Sequence, residues 1–224
     1  MKFVFNVAGE AVPADISTLV IAGWTGRDRA AVDHHIAELE ALGVRPPREV
    51  PMFYRVGANL LTTEDAIDVV GNDSSGEVEF VLVSLPSGLH VGVGSDHTDR
   101  KVEAYGVTVS KQVCAKPIAS ELWRFDEVEG HWDQLLLRSF VTRDGVRSLY
   151  QEGQIARMLA PRELLARFPD SAGRLPPGTA MFCGTLPVIG PLQGGESFEV
   201  ELVDPVRGRK LTHRYDARAL AIVD

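Results

Sequence analysis

The run Val78-Glu79-Phe80-Val81-Leu82-Val83, opened by Gly76-Glu77, constrains this chain more than any other segment. Valine, phenylalanine and leucine in close succession favour a strand. Side chains alternate across a strand, so Glu77 and Glu79 share one face while Val78, Phe80 and Leu82 share the other. Two carboxylates about 7 Å apart on one face repel each other unless water or a cation separates them. A hard divalent cation held by oxygen ligands is one solution, and solvent is the other. Phe198-Glu199-Val200-Glu201-Leu202 repeats the alternation and reads as a plain solvated strand face. The first copy differs in its company. A His-x-x-Glu helix lies upstream, and the turn Ser95-Asp96-His97-Thr98-Asp99-Arg100 lies downstream.

The rest of the chain reads as short strands with few helices. Strands are expected over residues 2–7 and 18–22, then a helix over 27–42 closed by Gly43. Pro46-Pro47 breaks the chain, and residues 51–56 resume it in extended form. Strands follow over 68–70, 77–84 and 89–93, with Pro86-Ser87-Gly88 as a hairpin turn. Residues 123–129 fit no single pattern, and 135–143 read as a strand ending at Asp144-Gly145. A helix over 161–168 precedes the turn Leu175-Pro176-Pro177-Gly178, after which strands return over 180–184, 197–203 and 210–217. No repeat, low-complexity tract or long linker divides the chain. It reads as one domain over residues 1–224, β-rich α+β rather than alternating βαβ.

Charge and cysteine content narrow the setting. A net charge of −8 argues against nucleic acid or an anionic membrane as the main partner. Cys114 and Cys183 lie far apart without a metal-type spacing, so a reduced cytoplasm is the expected compartment. The N-terminal apolar run is too short for a signal peptide, and no stretch approaches the roughly 18 apolar residues of a membrane helix.

Several residues are candidates for chemistry. On a helical projection of residues 27–42, Val32, Ile36 and Leu39 share a face with Leu42 at its edge. His35 falls inside that sector, and Glu38 lies three residues on, a neighbour on the helix surface. A carboxylate on one imidazole nitrogen fixes the tautomer and leaves the other nitrogen as a base. The Ser95–Arg100 turn offers Asp96 or Asp99 to complete a site begun by Glu77 and Glu79. Lys111 and Lys116 place ammonium groups beyond it, and the strand at Met181 leaves through Gly184-Thr185, where backbone N–H groups approach a ligand closely.

In this order the pieces resemble the fumarylacetoacetate hydrolase superfamily. The matching positions are His35-Ile36-Ala37-Glu38, Pro46-Pro47 with Phe53-Tyr54-Arg55, Glu77-Val78-Glu79, Ser95-Asp96, and Ser110-Lys111. Cys183-Gly184-Thr185-Leu186-Pro187 and Gly195-Glu196-Ser197-Phe198-Glu199-Val200 close the series. The gap from Glu79 to Asp96 is shorter than usual, Arg55 stands where lysine is common, and the proline after Thr185 comes one position late. The motif Gly94-Ser95-Asp96-His97-Thr98-Asp99-Arg100 and the run His131-Trp132-Asp133 resemble a divergent branch of the superfamily whose members mostly lack assigned reactions.

The resemblance implies the mixed β-roll of that superfamily, assembled as a homodimer. It implies Mg²⁺ or Mn²⁺ held by Glu77, Glu79 and Asp96, and a small oxo acid, a 1,3-dicarbonyl or 2-oxo acid, as substrate. The reaction is then hydrolysis or lysis of a C–C bond through a metal-stabilised enolate. His35, oriented by Glu38, deprotonates water. Lys111 and Arg55 hold substrate oxygens, and Thr185 binds a carboxylate. Decarboxylation, hydration or tautomerisation would use the same site. A non-catalytic dimeric small-molecule-binding protein is the alternative from another class, and a zinc hydrolase built on His90 and His97 lacks a zinc-type spacing.

Overall fold

The computed structural model describes residues 1–41, 46–169 and 172–223, with the side chains of residues 35, 38 and 39 outside that description. A hairpin of β1 (Lys2–Val7) and β2 (Glu10–Asp15) leads into β3 (Thr18–Gly23) and helix α1 (Arg29–Ala41). β4 (Met52–Val56), β5 (Leu61–Thr62), β6 (Ala66–Val70) and β7 (Ser74–Ser75) bring the chain to β8 (Val78–Leu85) and β9 (Gly88–Ser95). β10 (Thr98–Asp99), helices α2 (Arg100–Tyr105) and α3 (Val107–Val113), β11 (Lys116–Pro117) and β12 (Glu121–Arg124) come next. The last part holds β13 (Leu136–Arg143), β14 (Val146–Gln154), α4 (Pro161–Arg167), β15 (Thr179–Phe182), β16 (Ser197–Asp204) and β17 (Arg209–Leu220).

Two sheets dominate. The larger has eight strands in the order β2-β1-β12-β9-β8-β15-β3-β4, and the smaller has five in the order β14-β13-β16-β17-β6. Both are mixed: β1 runs parallel to β12, β15 to β3, and β17 to β6, while the other neighbours are antiparallel. One apolar cluster joins Phe80, Leu82 and Val91 of the large sheet to Leu137, Val200, Leu202 and Leu211 of the small one. A second lies on the opposite face of the large sheet, around Ile21, Val81, Val83 and Phe182. β8 is therefore buried along its whole length, as the continuous apolar stretch Phe80-Val81-Leu82-Val83 at its centre requires.

Three differences from the sequence expectations matter here. Residues 100–113, expected as short strands and turns up to about Val109, instead form the two short helices α2 and α3 that deliver Lys111. Glu199 and Glu201 are not a plain solvated face. β16 runs between β13 and β17, Glu199 pairs with Arg147 at 3.0 Å, and Glu201 is buried against Lys210 at 2.5 Å. α1 is started by Asp28, whose Oδ1 accepts from the Ala30 and Ala31 N–H groups. Its expected end at Leu42 and Gly43 lies outside the described residues. Among the described residues, no helix is long and apolar enough to cross a membrane.

Candidate metal centre

A tight hairpin builds the site. Leu85 pairs with Gly88 across the two residues Pro86 and Ser87, and Gly88 takes the positive φ of 117° that favours glycine. Each step back along β8 is then matched by a step forward along β9, so Val78 faces Ser95 and Glu79 faces Gly94. One step further, the Asp96 N–H donates to the Glu77 carbonyl at 3.0 Å. Residues directly opposite on paired strands share a face, so Glu77, Glu79 and Asp96 converge. One oxygen from each lies within 4.8 Å of the others. Asp99, the rival in sequence, instead caps α2 by accepting from the Val102 N–H at 2.9 Å.

Gly94 has a second role. A Cβ there would stand 2.6 Å from the Pro117 carbonyl oxygen, so its lack of a side chain lets β11 lie against β9. That approach carries in Lys116, the second of the two ammonium groups expected beyond the acidic turn. Lys116 is fully buried, with Nζ 3.0 Å from Asp96 Oδ1 and donating to the His97 carbonyl at 2.6 Å. From the other side Lys111 Nζ donates to Asp96 Oδ2 and lies 3.9 Å from Glu77 Oε2. Arg100, unassigned before, sits 3.1 Å from Glu77 Oε1 and 3.0 Å from Glu103. The signal for Lys116 was available: an Ala-Lys-Pro segment following closely on the acidic turn.

These neighbours polarise the cluster. Burial alone would raise the Asp96 pKa, but the two ammonium groups outweigh it and hold the carboxyl at about 2. Glu79 goes the other way. Burial and the negative charge of Asp96 push its pKa well above the usual range, only partly countered by Lys111 and by the Gly184 N–H that donates at 2.8 Å. Burial opposes the charge on Lys111, yet the three carboxylates raise its pKa overall. Glu79 is thus the carboxylate most short of positive charge, and it is 2% exposed.

Behind the cluster lies a neutral polar network. The Tyr215 hydroxyl donates to Ser95 Oγ at 2.8 Å, and Ser95 Oγ also accepts the Glu77 N–H at 3.1 Å. With that proton spent, His97 Nδ1 donates to the Tyr215 oxygen and Nε2 accepts from Ser74, each at 2.9 Å. Burial, Lys116 and Arg100 lower the His97 pKa to about 3, so the ring stays neutral. His90 sits at the hairpin turn, 3.0 Å from the Gly88 carbonyl. The zinc alternative on His90 and His97 has no cluster to rest on among the described residues; their metal-competent group is Glu77, Glu79 and Asp96.

The remaining sequence candidates fall elsewhere. The Thr185 hydroxyl donates to the Val78 carbonyl at 2.8 Å and accepts from Gln151 Nε2 at 2.9 Å. Its only proton is spent on the backbone, so it anchors the Gly184 loop rather than presenting a donor to a carboxylate. Arg55 is exposed and faces Val20 in the register, whereas Tyr54 faces Ile21. Ile21, Phe182 and Val81 lie on the Glu79 side of the sheet, which puts Arg55 on the other side. His35 and Glu38 lie on α1, but their side chains are outside the described residues. The two acids and Asp96 suit a hard divalent cation: all three donors are oxygens, and the buried Glu79 lacks a full counter-charge.

Comparison with known proteins adds the fold. A protein provisionally described as a fumarylacetoacetate isomerase/hydrolase from Oleispira antarctica superposes with a TM-score of 0.67 at 19% identity, covering 96% of this chain and 99% of that one. A second, provisionally described as a fumarylpyruvate hydrolase from Burkholderia cenocepacia, gives 0.65 at 19% identity, over 98% and 96%. A 2-keto-3-deoxyarabinonate dehydratase gives 0.64 at 18% identity, over 94% and 76%. At these identities the likeness shows the fold, which is the mixed β-roll of fumarylacetoacetate hydrolase proteins. No curated protein sequence matches the chain. The family model described as Protein of unknown function (DUF2848) matches residues 22–215.

Proposed function

The chain belongs to that DUF2848 family, and we propose that it is a divalent-metal-dependent hydrolase or lyase acting on a C–C bond of a small oxo acid. One observation carries the reading: Glu79, buried at 2% exposure among Glu77 and Asp96, is left short of positive charge. Glu77, Glu79 and Asp96 would hold Mg²⁺ or Mn²⁺. Once bound, the ion would serve as a Lewis acid toward the carbonyl and carboxylate oxygens of a 1,3-dicarbonyl or 2-oxo acid.

The chain's own groups supply the rest. Lys116 keeps Asp96 ionised, and Arg100 fixes the direction of Glu77 by bridging it to Glu103. The Gly184 N–H aims Glu79, and Thr185 holds that loop to Val78. Lys111 would hold substrate oxygens. His35, oriented by Glu38, would take a proton from water, making the carbonyl carbon's attacker. Arg55 is left out, since it faces the other side of the sheet. A homodimer in the cytoplasm is part of the same proposal.

A second reading keeps the site and changes the reaction to dehydration, decarboxylation or tautomerisation of a 2-oxo acid. Two buried lysines beside the carboxylates favour it, because an ammonium there can return a proton to a carbanion. A panel of acylpyruvates and 2-oxo acids, incubated with the protein and Mg²⁺ or Mn²⁺ and followed by NMR, separates the two. Two shorter acids from one substrate support C–C cleavage. Loss of water or carbon dioxide supports the second reading, and no turnover across the panel contradicts both.

A further inference from the structure

Asp96 carries two ammonium groups, and they are held differently. Lys116 is fully buried and tied to the His97 carbonyl as well as to Asp96. Lys111 reaches in from α3, contacts Asp96 Oδ2, approaches Glu77 Oε2 at 3.9 Å, and keeps 8% side-chain exposure. Its helix is seven residues long, and only Ser110 and Lys111 on it are buried. Val109 and Val113 on that helix are exposed. The lysine stem is flexible enough to swing outward without moving the helix.

The Lys111 ammonium therefore lies against two of the three converging carboxylates, Asp96 and Glu77. One oxygen from each of the three lies within 4.8 Å of the others, and a Mg²⁺–oxygen bond is about 2.0–2.1 Å. A divalent ion and an ammonium sharing an Asp96 oxygen would stand within about 4 Å of each other, where like charges repel strongly in a poorly solvated pocket. The charge count points the same way. Asp96, Glu77 and Glu103 are paired with Lys111, Lys116 and Arg100, and Glu79 has no ion-pair partner among the described residues. Adding a divalent ion to these four carboxylates and three cations leaves one positive charge in excess, and expelling Lys111 to solvent removes it.

We propose that Lys111 is a resident counter-ion that a divalent cation must displace: it holds Glu77 and Asp96 in place without metal, and weakens metal binding in return. This rests on the metal reading above and adds to it. The displaced ammonium then lies beside the site, facing the position of a bound oxo acid.

Titration calorimetry with Mn²⁺ alone, on the wild type, Lys111→Met and Lys111→Gln, tests this. Both variants should bind Mn²⁺ at least about tenfold more tightly than the wild type. Their metal-free Tm should fall, and Mn²⁺ should raise it by more than it raises the wild type's. Equal or weaker binding by folded variants, with the wild type still binding, overturns the displacement and leaves the metal reading standing. No Mn²⁺ binding by any of the three overturns both. If neither variant folds, acetylation of wild-type Lys111 read by mass spectrometry decides. Faster labelling in saturating Mn²⁺ supports displacement, and unchanged or slower labelling overturns it.

Discussion

Glu77 and Asp96 sit directly across the β8–β9 hairpin, with the Asp96 N–H donating to the Glu77 carbonyl at 3.0 Å. That register puts Asp96 beside the Glu77 and Glu79 carboxylates and leaves Asp99 to cap α2. The short gap from Glu79 to Asp96 is the length of the β8–β9 hairpin closed by the two-residue turn Pro86-Ser87.

Asp96→Asn should remove Mn²⁺ binding and destabilise the protein by about 3–5 kcal/mol, because two buried ammonium groups lose their shared counter-charge. Asp99→Asn should change stability by less than about 1 kcal/mol, since asparagine caps helices nearly as well, and should leave binding intact. Urea unfolding and Mn²⁺ titration on both variants check this. The reverse order would mean that Asp99 supplies the third oxygen.

Asp204, fully buried at the end of β16, gives a pH prediction away from the site. Burial works to raise its pKa, but the Val206 and Arg207 N–H groups, His131 and Arg209 around it hold it below the usual carboxylate range. A depressed folded-state pKa gives stability that is present above the ordinary carboxylate pKa and lost as pH falls through the folded value. Between about pH 5 and pH 2 the Tm of Asp204→Asn should therefore fall less steeply than that of the wild type. Parallel slopes would show that Asp204 does not govern this acid limb.

Much of this arrangement was legible in the residues. The Val78–Val83 run specified a buried strand, and Pro86-Ser87-Gly88 specified its hairpin. Counting outward from that turn would have paired Glu77 with Asp96 and decided between the two aspartates. Other parts were hidden. Val107-Thr108-Val109 is β-branched and favours a strand locally, yet tertiary packing makes it the start of α3. Which face Arg55 takes depends on the pairing of β4 with β3, a contact between distant segments. Glu201 reads as solvated from its own strand because its cover includes Lys210, brought beside it by the pairing of β16 with β17.

The base is tested through the two adjacent histidines of α1. His35→Ala should lower kcat at least about 100-fold on any oxo acid the protein turns over, while Mn²⁺ binding persists. His34, exposed on α1, should tolerate alanine with little change. Steady-state kinetics on both variants check it. Equal losses would remove the distinction between the two helix faces, and full activity in His35→Ala would favour the dehydratase or decarboxylase reading.

Glu77, Glu79 and Asp96 at the β8–β9 hairpin are proposed to hold a divalent cation, and titration calorimetry of the wild type and Glu79→Ala with Mn²⁺ and Mg²⁺ decides whether they do. One ion should bind per wild-type chain, and Glu79→Ala, though folded, should show no binding. Unchanged affinity in Glu79→Ala, or no binding by the wild type, would contradict the account.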